Sequence, residues 1–135
     1  IYLMEILAEK FCQFLERRNS IGDIMPERRG TDKDNELQDA YERVWKNGTY
    51  FVKPDRIQSR LRAKELKFRW KKENIAGLQL CDLVAHPSHM IVRERLRHPV
   101  NLGTFCAKLK PILLNSKYDR SNGGSISGYG IKVAS

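Results

Sequence analysis

Apolar side chains in the opening stretch recur at the spacing of one helical face. Leu3, Ile6, Leu7, Phe11, Phe14 and Leu15 follow i, i+3, i+4 and i+7 steps, which predicts an amphipathic helix over 2–18, ended by Asn19-Ser20. The β-branched run IGDIM, stopped by Pro26, predicts a short strand that delivers Glu27 at its end. After Gly30, Thr31 is placed to cap a second helix, with Asp32 and Asp34 in a first turn whose dipole favours acids. Leu37, Ala40, Tyr41, Val44 and Trp45 mark the buried face of that helix, and Asn47-Gly48 marks its end. Pro54 opens a short helix through Leu61. In ELKFRW, Leu66, Phe68 and Trp70 alternate with Lys67 and Arg69, the period of a strand buried on one side with cations towards water or a ligand.

The second half has a different texture. Ile75 to Ala85 is apolar nearly all round, which predicts a buried helix, interrupted or kinked at Pro87 and continuing to Leu96. Inside it, AGLQLCDLVAHP carries one carboxylate, Asp82; an ionised carboxylate in an apolar interior requires a cation, a donor or a metal. Leu102 to Leu114 reads as another helix unless Pro111 ends it early, 115–127 as a mobile loop rich in Ser, Asn and Gly, and YGIKV as a final strand. No repeat or domain boundary is visible, so 1–135 is taken as one domain. The pattern predicts an α/β fold: a sheet containing IGDIM and ELKFRW, packed by the first helix, the Asp34–Asn47 helix and the Asp82 helix.

Composition narrows the partners. With 41% hydrophobic and 30% charged residues the 135-residue chain is a globular protein, and no apolar run approaches the roughly 20 residues that cross a bilayer. The amphipathic opening contains acids and starts at Ile1, which fits neither a signal nor a transit peptide and reads as a fragment lacking its natural beginning. Cys12, Cys81 and Cys106 are odd in number, far apart and without zinc spacing, the usage of reduced thiols in the cytoplasm. A net charge of +9 favours polyanions such as nucleic acid. The cations concentrate in Arg56 to Lys72, with Phe68 and Trp70 interleaved, and in Arg93, Arg95 and Arg97. Two readings of that run stay open: a nucleic-acid contact, or a solvated basic face whose aromatics turn inward.

Two constellations carry candidate chemistry. Gln79, Asp82, His86 and His89 fall within an arc of roughly 60–80° on a helix, a stripe able to hold a metal or accept a proton. Alternatively, Asp82 bonds an Arg or a backbone N–H and His86 merely ends the helix. In MPERRGTDKD, Glu27 stands at a strand end beside Arg28 and Arg29, a setting suited to Mg²⁺ with guanidiniums on a phosphate. The bland version pairs Glu27 with an Arg and leaves Asp32 and Asp34 to support a helix start.

PERRGTDKDNELQDAYERVWKNGT, then ENIAGLQLCDLVAHP, then GYGIKV resemble, in this order, the C-terminal half of an uncharacterised prokaryotic and phage domain-of-unknown-function family with a predicted RNase H-like fold. The resemblance implies a mixed sheet flanked by helices and lacking its N-terminal strands. It also implies that Glu27 and Asp82 are two acids of a Mg²⁺ or Mn²⁺ centre. The family's D-E-S-G segment is absent, and Cys81 stands where the family has Ala. On this reading the full-length protein is a metal-dependent nuclease or related phosphoryl-transfer enzyme. Glu27 and Asp82 ligate the metal, His86 shuttles a proton, and Arg28, Arg29, Lys67 and Arg69 contact nucleic acid. The rival is a non-catalytic nucleic-acid or protein-binding scaffold of a mobile-element or phage-defence system, and a third reading is a purely structural or oligomerising domain. With the upstream strands missing, the apolar face of the first helix is expected to make copies associate into homo-oligomers.

Overall fold

α1 (Tyr2–Arg17) forms where the first periodic run predicts it and buries Met4, Ala8, Cys12 and Leu15 along one stripe. The computed structural model describes residues 2–134 and divides into two compact units, 1–75 and 76–135. In the first unit, α2 (Thr31–Asn47) begins directly after Gly30, whose φ of 114° suits a residue without a Cβ; the glycine, not Thr31, occupies the cap position. α3 (Pro54–Arg60) opens on a proline, whose missing N–H costs nothing at a helix start. Ala40, Tyr41 and Val44 of α2 and Ile57 of α3 join the α1 stripe, and Val52, Leu61 and Leu66 complete one core. Burying each of the larger aliphatic chains contributes about 1.5–3 kcal/mol.

The expected α/β, RNase H-like sheet is not there: among the described residues the fold is helical, and the only β pairing consists of isolated bridges. The two segments read as strands do run side by side. Gly22 N–H reaches Arg60 O at 3.0 Å, Lys67 N–H reaches Ile24 O at 2.9 Å, and Arg69 N–H reaches Pro26 O at 3.0 Å. Between the first and second of these bonds one segment advances from Gly22 to Ile24 while the other advances from Arg60 to Lys67, so no continuous ladder forms.

Side chains of α2 occupy the backbone of that detour. Trp45 Nε1–H donates to Leu61 O at 2.7 Å, Tyr41 O–H to Ala63 O at 2.7 Å, and Leu66 N–H to Gln38 Oε1 at 2.9 Å. Backbone groups that a neighbouring strand would have paired are satisfied by a helix instead. The alternation in ELKFRW survives only as graded burial: Leu66 is buried, Phe68 half-buried and Trp70 exposed.

In the second unit, α4 (Ala76–Arg95) runs unbroken through the buried Pro87, and α5 (Gly103–Ile112) continues past Pro111 into a π-helical turn, Leu113–Lys117. The expectation of a buried helix over Ile75–Ala85 is corrected: Leu80 is 59% and Leu83 54% exposed, and α4 buries Pro87 and Ile91. The reason is length. Within this unit α4, at 20 residues, packs with α5, at 10, so much of its surface lacks an adjacent helix however apolar it is. Glu94 pairs with Lys110 between the two helices, and Tyr118 O–H donates to Ser88 Oγ at 2.6 Å. The segment read as a mobile loop is tied by Ser121 N–H to Ser125 O at 2.9 Å, and Gly130 N–H closes on Asp119 O at 2.8 Å. YGIKV contributes one bridge, Ser127 to Ile131.

Candidate nucleic-acid interface

The paired extended segments bring together residues that are distant in sequence. Arg69 N–H donates to Pro26 O and Arg28 N–H donates to Arg69 O, at 3.0 and 2.9 Å, so Glu27 and Arg69 form a bridge pair. Arg28 is thereby set beside the aromatic end of ELKFRW. Its guanidinium carbon lies 5.4 Å from the Phe68 ring centre and 5.3 Å from that of Trp70, within cation–π range. Lys72 Nζ approaches the Trp70 ring at 6.0 Å. The indole itself is 53% exposed.

Arg28 is held from the other direction by Asp34, 7% exposed, whose Oδ2 is 3.3 Å from Nη1 and whose Oδ1 accepts Arg29 N–H at 2.9 Å. Asp34 therefore does more than support a helix start: it fixes the turn through Gly30 and orients Arg28 over the rings. The backbone of Trp70 is fixed in turn, its main-chain N–H donating to Glu73 Oε2 at 2.6 Å across the 3₁₀ turn Lys71–Glu73. Sequence reading overlooked this role of Asp34. The available signal was its spacing, six residues beyond Arg28 across a glycine.

Ion pairs sort the cations. Lys46 and Lys64 bond to Glu42, whose carboxyl they hold below the ordinary carboxylate range, and Arg56 does the same to Glu16. Lys67 makes one long pair with Asp23 at 3.9 Å. Among the described residues, Arg29, Arg69, Lys71 and Lys72 are exposed and have no carboxylate within ion-pair distance. A half-exposed indole with cations on it and beside it can stack a base and neutralise phosphates.

The other expected residues are Glu27, in the bridge pair with Arg69, and Asp82 and His86, in the second unit. Glu27 is half-buried and lines a cleft of about 690 Å³ with Leu3, Met4, Arg29, Asp34 and Leu37. Asp82 and His86 are exposed on α4, in the other unit, and Gln79 and His89 share their exposure. A hydrated carboxylate needs no buried cation, so the question that Asp82 raised in the sequence does not arise. Among the described residues no three His, Cys, Asp or Glu side chains gather in a group that could hold a metal ion. The RNase H-like expectation falls with the sheet, and Glu27 and Asp82, expected to share a Mg²⁺ or Mn²⁺ ion, belong to different units. Burial, and then Glu16, push the Cys12 thiol up to about 11, which disfavours its thiolate at neutral pH.

No helix among the described residues is long and apolar enough to cross a membrane. No family model, curated protein or solved structure matches the chain. The resemblance set out above therefore rests on its motifs alone.

Proposed function

We propose that the chain is a non-catalytic nucleic-acid-binding module whose contact surface is the strip around Trp70. The observation that carries this reading is the half-exposed indole under Arg28 and Lys72, with its chain neighbours Arg69 and Lys71, which among the described residues have no carboxylate within ion-pair distance. Arg28 is a positioning residue, already held by Asp34 and the rings. Arg69, Lys71 and Lys72 supply the phosphate contacts, and Trp70 supplies a face for a base. The net charge of +9 adds long-range attraction to a polyanion.

Fluorescence anisotropy with labelled oligonucleotides tests it. Log affinity should fall linearly with log salt, at roughly 0.7 per phosphate contacted on a single strand, and a chelator should leave it unchanged. Replacing Arg69 and Lys71 together by Glu should weaken binding by about tenfold or more and flatten that slope. Absence of binding at about 0.15 M salt, or binding indifferent to the double charge reversal, would remove the reading.

A further inference from the structure

The turn between α2 and α3 ends in two aromatic side chains held out in water. Tyr50 is 94% and Phe51 69% exposed, with ring centres 4.9 Å apart and planes at 84°. Turn tips ordinarily carry Gly, Asn, Asp, Ser or Pro, so two large rings there call for a physical reason.

The framework beneath them is over-determined. Gly48 sits at φ 72°, where a Cβ would lie 2.5 Å from Val52 O, and its N–H donates to Val44 O at 2.8 Å. Thr49 N–H donates to Val52 O at 2.8 Å, and Val52 N–H to Thr49 Oγ1 at 3.1 Å. Thr49 Oγ1–H then donates to the carboxylate of the buried Glu9 at 2.7 Å. Val52 is wholly buried, which nails the far side of the turn to the core. Tyr50 and Phe51 are thus presented by a turn anchored at both ends, and their exposure is not the disorder of a slack loop.

We infer that the Tyr50–Phe51 turn is a base-stacking finger for single-stranded nucleic acid. The inference rests on the nucleic-acid reading above and narrows its substrate class to strands with unpaired bases. Base–aromatic stacking tolerates any sequence because every base has a π face, but it needs that face uncovered, which a duplex denies. The charge around the turn agrees: Lys53 flanks it, exposed and, among the described residues, with no carboxylate within ion-pair distance, while Lys46 and Arg56 are paired with Glu42 and Glu16. An anionic strand can place a phosphate on Lys53 with a base on either ring.

Anisotropy titrations of the full chain with a labelled oligo-pyrimidine and with a blunt duplex of equal length decide the matter. Tyr50→Ala and Phe51→Ala should each weaken single-strand binding by about 5- to 150-fold, leave duplex binding within about twofold, and leave the thermal melt unchanged. Tyr50→Trp should retain affinity and Phe51→Leu should not, which separates stacking from bulk apolar contact. If the wild type binds single strands and neither alanine variant changes this, the finger is wrong and the module reading stands. Equal affinity for duplex and single strand, lost equally in the variants, also overturns the finger. No binding to either oligonucleotide removes both ideas. If the aromatic-dependent binding is instead to vesicles of phosphatidylserine and phosphatidylcholine, the turn contacts a membrane surface and the proposal fails.

Discussion

Residues 1–75 and 76–135 are both helical, yet they bury their apolar side chains very differently. The first unit holds a core running from Met4 to Leu66, whereas the second has Ile91, Cys106 and Leu113 as its buried hydrophobics, alongside Pro87. Apolar content does not explain this, because α4 opens on the apolar run AGLQLCDLVA. The difference lies in geometry. α1 confines its buried residues to one stripe and meets α2 and α3 there, while α4 is apolar on several sides and in its own unit packs with the shorter α5. An apolar helix is buried only where another element comes to cover it. Charge teaches the same lesson. Basic residues outnumber acidic ones 17 to 13 in 1–75 and 8 to 3 in 76–135, so balance alone points to the second unit. Aromatic faces beside unpaired cations point to the first.

The largest effect that sharpens this contrast is a pair of truncations. Ile57→Ala should cost about 2–5 kcal/mol in urea unfolding followed by tryptophan fluorescence, because Ile57 is fully buried and both Trp45 and Trp70 belong to its unit. Leu83→Ala should stay within about 0.5 kcal/mol by circular dichroism. Equal losses would break the comparison, since they would mean that α4 is covered as well as the first core is.

A middle-sized effect concerns the polar anchor of the first unit. Asp34→Ala leaves Arg29 N–H and the Arg28 guanidinium without their acceptor and should destabilise by about 1–3 kcal/mol. Asp34→Asn, which keeps an oxygen for the backbone N–H, should lose less. A neutral Asp34→Ala would show that Arg28 holds its place by the rings alone.

The smallest effect is a pH dependence. Arg56 bonds Glu16 at 2.7 and 2.9 Å and holds its carboxyl below the ordinary value. A carboxylate depressed in the folded state contributes stability above its unfolded pKa, and that contribution fades as pH falls through the lower folded value. Acidification below about pH 4.3 should therefore remove under about 1 kcal/mol from the wild type, the pair being partly exposed and screened. Glu16→Gln should lack that increment at neutral pH and show a correspondingly flatter acid limb. Identical acid limbs would assign the pair no net value.

Local structure was legible where one residue type dictates one geometry. The stripe in α1, Gly30 before α2, Pro54 at the start of α3 and Gly48 after α2 all announce themselves in the chain. The missing sheet was not legible. Alternation in ELKFRW is satisfied by any extended segment, and whether a ladder follows depends on Gln38, Tyr41 and Trp45 reaching across from α2, a tertiary event with no local signature. Of the expected site residues, Glu27, Arg28 and Arg69 come together through backbone pairing that IGDIM and ELKFRW did foreshadow. The exposure of Asp82 and His86 was hidden because apolarity was equated with burial. Tyr50 and Phe51 fall between the helix end at Asn47-Gly48 and the helix start at Pro54, and two aromatics in such a connection are themselves a signal.

The hydrogen bonds from Tyr41 and Trp45 into the carbonyls of residues 61 and 63, and from residue 66 into Gln38, have one more consequence. A strand with vacant amides and carbonyls is a template on which another chain can add and start a fibril. Here the carbonyls of residues 61 and 63 and the amide of residue 66 are already taken by a helix, so the chain leading into ELKFRW does not offer these groups to an incoming strand.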